Sequence, residues 1–586
     1  MKAYVKPVLI GLLGIFIFAA GVIFVMNMYN KYLESIEVVE EVPTFVETQI
    51  DFTTIYEDAS IDQIVSLYNG VEVSDQESVR YIGGKLYFPV DFVIKYLNNQ
   101  FFYDDAEKTL TYTTGEDIIR MKTDELTYTV NDEPLSLDIG MTDFDGQTYL
   151  PLTLVQKFSH HDYTYNEDYY ILKIEDWYAS VTTGEVYFEE DEVYIRTLTD
   201  DESPYIHKTY VGMEVEIIGE DGIYYKVVTK EGFVGYIRKE FVRSITTLHS
   251  NIEPAPSPSQ FPSTEYEGKL NLAWHQVFNS TANAQVADKF SNVTDLDVIS
   301  PTWFELTGSD GDVKSIADLD YVRWAHNNGY QVWALFGNLG EGYTRAMTHD
   351  VLSSTEKRME SIRQILAFAA IYELDGINID FEAIPESDGP YFVQFCKEMA
   401  VYCKQQGLTV SADFPVIKSW TRHYGQKELS EYLDYIIIMA YDEHWGSSPV
   451  AGSVASKTWI DEGIKYTLEQ VPKEKTIVGI PFYTRLWKEE LVDGEISVSS
   501  KAYSMDYAKS IMDDRNVEMV WLDDIGQYYG EYEEDGATYK MWLEDVESIE
   551  MRMKIAADYD IGGVAAWKIG LENDGVWDVI AQYMKP

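Results

Sequence analysis

The sequence predicts a multidomain chain ending in a (β/α)8 barrel, with an α+β insertion between barrel strands seven and eight. Two small N-terminal domains, one α+β and one all-β, and a single transmembrane helix complete the prediction. Three observations lead there. After residue 267, eight apolar strand-like runs alternate with helical patterns. Between 59 and 245, short alternating strands are punctuated by turn residues. Near the first residue, Val8 to Met26 form an uncharged apolar run. At 586 residues the chain exceeds what a single core organises, and about three or four domains are expected. A hydrophobic content of 46% with 14% aromatics describes a folded protein. The formal net charge of −54 excludes nucleic acid and anionic lipid as direct partners, since both would be repelled.

Taken in order, the apolar run predicts a membrane anchor over residues 7–29, long enough to cross a bilayer. Lys2 and Lys6 precede it, and Glu34, Glu37, Glu40 and Glu41 follow it. That asymmetry places the N-terminus in the cytoplasm and the rest outside, as a single-pass cell-membrane protein whose catalytic domain faces the cell wall. A cleaved signal peptide is the alternative, because Ala19-Ala20-Gly21 offers small residues; the apolar run continuing past them favours the anchor. Residues 30–58 read as an acidic spacer.

Residues 59–176 contain an internal pair. Gly84-Lys85-Leu86-Tyr87-Phe88-Pro89 followed by VDFVIKYLN echoes Gly146-Gln147-Thr148-Tyr149-Leu150-Pro151 followed by LTLVQKFS. Each copy reads as a strand, a proline-started helix and a hairpin. This pair resembles the small domain named after the N-terminal part of copper amine oxidases, and the resemblance implies no copper. The adjacent His160 and His161 lack partners at ligand spacing and are expected on the surface. Over 180–245, the runs VYIRT, VGMEVEIIG, IYYKVVT and GFVGYIR resemble the bacterial Src-homology-3-like fold, which implies a small β-barrel that binds wall polymer or serves as a spacer. A proline- and serine-rich linker covers 246–266. The two cysteines, Cys396 and Cys403, lie seven positions apart on a predicted helix, too distant for a disulfide, and are expected to be buried thiols.

Within 267–586 strands are expected near 269–276, 295–303, 330–336, 374–382, 408–414, 434–441, 476–483 and 562–569. A helix from Glu356 and another from Tyr391 lie between them, the second presenting Phe392, Phe395, Cys396, Met399 and Cys403 on one face. Residues 484–545 are too long for a loop and include a hairpin signal at Glu534-Asp535-Gly536, so they form the insertion.

The fourth strand, Asp375-Gly376-Ile377-Asn378-Ile379-Asp380-Phe381-Glu382, carries the chemistry. A period of two puts Ile377, Ile379 and Phe381 on the helix side and Asn378, Asp380 and Glu382 in the barrel interior, climbing to the C-terminal rim. Two carboxyls roughly 6–7 Å apart between Cβ atoms and withdrawn from water raise each other's proton affinity. A carboxyl that keeps its proton near neutral pH can act as a general acid.

DGINIDFE resembles the D-G-x-D-x-D-x-E signature of glycoside hydrolase family 18, the chitinase-like family. Met439-Ala440-Tyr441-Asp442, Gly479-Ile480-Pro481-Phe482-Tyr483-Thr484-Arg485 and Gly562-Gly563-Val564-Ala565-Ala566-Trp567 are similar to its later motifs, in the family's order. The resemblance implies a glycosidase acting on N-acetylglucosamine-containing polysaccharide, with retention and without a cofactor or metal. Glu382 would be the acid and Asp380 the group holding the substrate acetamido N–H. Tyr441 would donate to the acetamido oxygen. Asn378, Met439, Asp442 and Trp567 would bind substrate, Trp567 by stacking. Asn378 departs from the aspartate expected there. That residue and Phe381-Glu382-Ala383-Ile384-Pro385 resemble the spore-cortex and cell-wall branch, which shifts the expected substrate from chitin toward peptidoglycan. The competing expectation is a non-catalytic glycan-binding protein; Glu382, Asp380 and Tyr441 occurring together speak against it.

Overall fold

The computed structural model describes residues 25–28, 31, 48–50, 56, 59–73, 78–189, 192–249, 268–492 and 494–584. Among them no helix is long and apolar enough to cross a membrane. The anchor expected over 7–29 lies outside the described residues except for 25–28, and the spacer and linker are described only in part. The chain divides into two compact units, Met1–Glu57 with Val181–Leu248, and Asp58–Ser180 with His249–Pro586.

In the first unit, Val181–Leu248 forms one seven-stranded antiparallel sheet. Its core is Val186, Ile195, Met213, Val215, Val227 and Ile237, the inward residues of alternating strands. Gly235 permits the packing: a Cβ there would lie 2.6 Å from the Arg196 carbonyl. Ile50, from the expected spacer, donates its backbone N–H to Tyr205.

In the second unit, the internal pair is joined at its centre. Strand Lys85–Pro89 pairs antiparallel with Gln147–Pro151, Tyr149 opposite Pro89 and Pro151 opposite Tyr87. The two copies therefore build one sheet across a pseudo-twofold axis, and both prolines sit at helix N-caps. A five-stranded antiparallel meander, Phe101 to Ser136, follows the first copy. His160 is exposed, but His161 corrects the expectation of a surface pair: it is buried, and its Nε2 lies 3.1 Å from the Tyr68 hydroxyl.

All eight expected barrel strands form. They are β1 (Leu270–His275), β2 (Val298–Thr307), β3 (Gln331–Gly337), β4 (Gly376–Asp380), β5 (Thr409–Pro415), β6 (Tyr435–Met439), β7 (Thr476–Pro481) and β8 (Gly563–Trp567). Each pairs in parallel with the next, and β8 pairs with β1 to close the cylinder. Leu272, Trp274, Trp333, Leu335, Tyr435 and Ile437 fill the interior. The insertion is a five-stranded sheet with a helix, Met505–Asp514. Its hairpin turns at Asp535 (φ 51°) and Gly536 (φ 78°), between Glu534 and Ala537, the two-residue geometry that Asp-Gly favours.

The helix Gly389–Gln405 buries the expected face, including both free cysteines, but also Gln394, Lys397 and Glu398 on its opposite side. The cause is the meander of the small domain, which covers it. Gln394 donates to the Thr113 hydroxyl (3.0 Å) and Tyr432 to the Thr113 carbonyl (2.9 Å). Asp104 accepts from both the backbone N–H (2.8 Å) and the hydroxyl (2.9 Å) of Thr355, at the start of the helix Thr355–Tyr372. A carboxylate at a helix N-terminus meets free N–H groups and a favourable dipole. Between the domains Glu398 accepts from Arg358 Nε (3.1 Å) and lies 3.5 Å from Arg120 of the meander. Glu398 and Arg358 are wholly buried. The small domain and the barrel thus share a polar interface with a buried ion group in it.

Candidate active site

The end of β4 is shaped by its own sequence. Gly376 is required where β4 passes the indole of Trp333: a Cβ there would stand 2.7 Å from its Cδ1. Ile377, Ile379 and Phe381 face the helices, with Phe381 stacked on Phe395 at 5.0 Å. Asn378 and Asp380 face inward, as the alternation requires, and Glu382 follows beyond the strand's end, close enough for its charge to raise Asp380. Beyond Asp380 the chain leaves the sheet, and Ala383 adopts φ 56°. Asn338, from the end of β3, holds the emerging backbone on both sides: its Oδ1 accepts from Glu382 N (2.8 Å) and its Nδ2 donates to Glu382 O (3.0 Å). A buried amide bonded twice to one residue fixes where that residue's side chain starts.

Asn378 is fully buried, and its amide spends every bond internally. Its Oδ1 accepts from Trp274 Nε1 (2.9 Å) and Ser300 Oγ (3.2 Å), and its Nδ2 donates to Ser411 Oγ (3.0 Å) and Asp413 Oδ1 (2.8 Å). Two donors and two acceptor positions exhaust an amide. The expectation that Asn378 binds substrate is therefore corrected; it braces the floor of the site. Asp413, on β5, was not singled out in the sequence, although Ser411 and Asp413 alternate as the only polar positions of an otherwise apolar VSADF and so share the interior face.

Above this floor sit carboxyls of one sign. Burial first, and then the charge of Glu382, hold Asp380 well above the usual carboxylate range. Burial raises Glu382, helped by Asp442. Burial, then Asp380, raises Asp413, against the lowering effect of its Asn378 hydrogen bond. Like charges in a dry site cannot all ionise, so the group holds protons toward neutral pH. Asp380 Oδ1 is buried and lacks a hydrogen-bond partner among the described residues, which is costly unless a bound molecule supplies one.

Tyr441 joins the same electrostatic group: burial, then Asp413 and Asp380, raise its phenol far above the ordinary value. It stays a neutral donor. Its ring fits because β7 offers Gly479, where a Cβ would come within 3.3 Å of its Cε1. Tyr441 and Trp567 are half-buried and pack against the same interior cluster, Trp567 edge-on to Trp274 at 5.9 Å. Met439 is half-buried at the end of β6, opposite Pro415 and Gly479. Asp442 is exposed, at φ 52°, and is held by the Tyr483 hydroxyl (2.6 Å) and Arg485 (3.4 Å). Loops after β1, β3, β5 and β6 add exposed apolar side chains, Phe278, Leu339, Trp420 and Trp445. Exposed apolar side chains, three of them rings, on the loops of a polar mouth suit the faces of sugars. Among the described residues no group of three or more His, Cys, Asp or Glu side chains is placed to hold a metal ion.

A family profile described as "Glycosyl hydrolases family 18" matches residues 263–572, and one described as "Copper amine oxidase N-terminal domain" matches residues 67–174. The chain is 23% identical over 287 residues to "Uncharacterized glycosylase YvbX" of Bacillus subtilis (strain 168), covering 47% of this chain and 81% of that one. It is 25% identical over 250 residues to "Cortical fragment-lytic enzyme" of Bacillus anthracis, covering 41% of this chain and 56% of the relative, little more than half its length. Among solved structures, the C-terminal domain of a "putative chitinase" from Desulfitobacterium hafniense DCB-2 shares the fold, with a TM-score of 0.51 and 22% identity over 54% of this chain and 100% of that one.

Proposed function

We propose, from the premise that this chain belongs to glycosyl hydrolases family 18 and is a glycosidase, that it cuts β-1,4 bonds next to N-acetylglucosamine with retention of configuration. The nucleophile is the substrate's own 2-acetamido oxygen. Glu382 protonates the glycosidic oxygen as that bond breaks, while the acetamido oxygen bonds to the anomeric carbon. The oxazolinium formed is then opened by water, whose proton passes to the Glu382 carboxylate. Asp380 accepts the acetamido N–H and faces the positive charge that develops. Tyr441 donates to the acetamido oxygen, and Trp567 stacks under the sugar. Asp442, tied by Tyr483 and Arg485, helps orient the acetamido group, and Met439 lines the subsite.

The unpartnered Oδ1 of Asp380, two residues before Glu382 at the exit of β4, carries this reading. Two carboxyls only two residues apart along the chain cannot flank a sugar from opposite sides, so an enzyme nucleophile is missing where a substrate amide has a waiting acceptor.

For substrate the reading takes peptidoglycan glycan strands ahead of chitin. The Asn378 signature supports it, as does likeness to a protein named a cortical fragment-lytic enzyme. For location it takes the apolar run at 8–26 as a single-pass anchor, with the later residues outside facing the wall. The all-β unit, read as Src-homology-3-like, then serves that wall as binder or spacer. The test is release of new reducing ends from wall sacculi and from chitin oligomers by the full chain and by Glu382→Gln. The variant should lose roughly 10²–10⁴-fold in turnover while keeping its thermal transition. Equal rates would overturn the assignment of the acid.

A further inference from the structure

A cleft of about 1000 Å³ lies between the small domain and the barrel, apart from the carboxyl cluster. That volume is at the upper end for small-ligand pockets. One wall carries the rings of Tyr96, Tyr112 and Phe158 with the amides of Asn99 and Gln100; the other carries Arg422. Three cations (Lys95, Arg422, Lys427) face three carboxylates (Asp176, Glu428, Glu431), so the walls balance in charge. An anionic peptide would need a surplus of cations, whereas rings interleaved with amides suit a neutral sugar, one face stacked and its hydroxyls bonded.

Further observations favour a glycan. The Arg422 segment is tied to the catalytic strand's exit: His423 Nε2 lies 2.8 Å from Ile384 O, and Ile384 N donates to Tyr424 OH at 3.2 Å, two residues after Glu382. The same loop carries Trp420, 70% exposed, two residues before Arg422. The cleft is also pre-formed, because Gln394–Thr113 and Tyr432–Thr113 hydrogen bonds fix its walls together, so binding need not order them. His161, on its lining, is 8% exposed, and its buried Nδ1 has no hydrogen-bond partner among the described residues.

We infer that this cleft is a second glycan site that holds an uncut, N-acetylated stretch of the polysaccharide whose neighbouring part occupies the barrel mouth. The inference rests on the glycosidase reading above. The small domain thereby makes the enzyme favour long strands over short oligomers.

The experiment uses the full chain carrying Glu382→Gln, titrated by calorimetry with a short N-acetylglucosamine oligomer and with long glycan strands released from sacculi. Tyr96→Ala and, separately, the exposed pair Asn99→Ala/Arg422→Ala are compared with it, each checked for an unchanged thermal transition. The pair covers the case in which Tyr96→Ala disturbs folding, since the Tyr96 ring packs at a tilt against Phe92 with centroids 5.0 Å apart. The expected result is about a tenfold loss of affinity for long strands, equivalent to about 1.4 kcal/mol, with short-oligomer binding unchanged. In the catalytically intact chain the same changes should raise KM on sacculi and leave kcat on short oligomers alone. Unchanged long-strand affinity with short oligomers still bound would overturn the second site alone. Absence of binding by either glycan would overturn the barrel-mouth reading and this inference with it.

Discussion

Glu398 and Asp380 are buried carboxyls of the same unit with opposite fates. Glu398, between the small domain and the barrel, is pushed upward by burial, but the Arg358 and Arg120 guanidiniums and two hydrogen bonds outweigh that, and it ends below the ordinary value. Asp380, at the barrel mouth, has burial and Glu382 pushing the same way and no cation to oppose them. Burial alone therefore does not decide protonation; the sign of the neighbours does. The first arrangement fastens two domains. The second keeps a proton in reserve, at a cost in stability, where chemistry needs one.

The comparison breaks first at Glu398. Glu398→Ala leaves two guanidiniums facing each other in a dry interface and should cost about 3–5 kcal/mol, read as a large drop in the denaturation midpoint. A loss too small to measure would show that the ion group does not hold the domains together.

Asp380→Asn should do the reverse to stability while crippling catalysis. Turnover should fall by roughly 10²–10³-fold, and the melting temperature at neutral pH should rise. The sign follows from proton linkage: a carboxyl whose pKa is raised by folding stabilises below its unfolded value, about 4, and loses that contribution as the pH climbs through the folded value. The asparagine has no charge to acquire, so its advantage should grow from acid to neutral pH. For Glu398, whose value is lowered, stability is present above the unfolded pKa and lost as the pH falls through the folded one. A melting temperature unchanged at every pH would contradict the account of Asp380.

A smaller effect sharpens the picture. Asp442 is the neighbouring charge that raises Glu382. Asp442→Asn should lower the Glu382 pKa, moving the basic limb of the kcat/KM profile to lower pH. A shift to higher pH would show that Asp442 acts otherwise.

The barrel and part of its mouth were legible in the sequence because strand alternation is local: Asn378 and Asp380 fall inside because Ile377, Ile379 and Phe381 are apolar, whereas Tyr441, beyond the end of β6, was reached only through the resemblance. The Asp535-Gly536 hairpin was legible for the same reason, since the turn residues state their own geometry. What escaped depends on partners far along the chain. Asn378 read as a substrate contact because its four partners come from three other strands, reaching across as many as 104 residues to Trp274. Glu398 and Gln394 were not singled out, because the meander that covers them, with Thr113 and Arg120, lies far earlier in the chain. Asn338 had no motif at all; only its grip on the Glu382 backbone reveals it.

An infrared titration of the carboxyl stretch, subtracting Asp380→Asn, Glu382→Gln and Glu398→Gln from the unaltered chain, measures the contrast itself. Near neutral pH the two barrel-mouth subtractions should between them remove absorbance of a protonated carboxyl, and the Glu398 subtraction only that of an ionised one. If every one of these groups were ionised at that pH, the barrel mouth would hold no spare proton, and Glu382 could not be its acid.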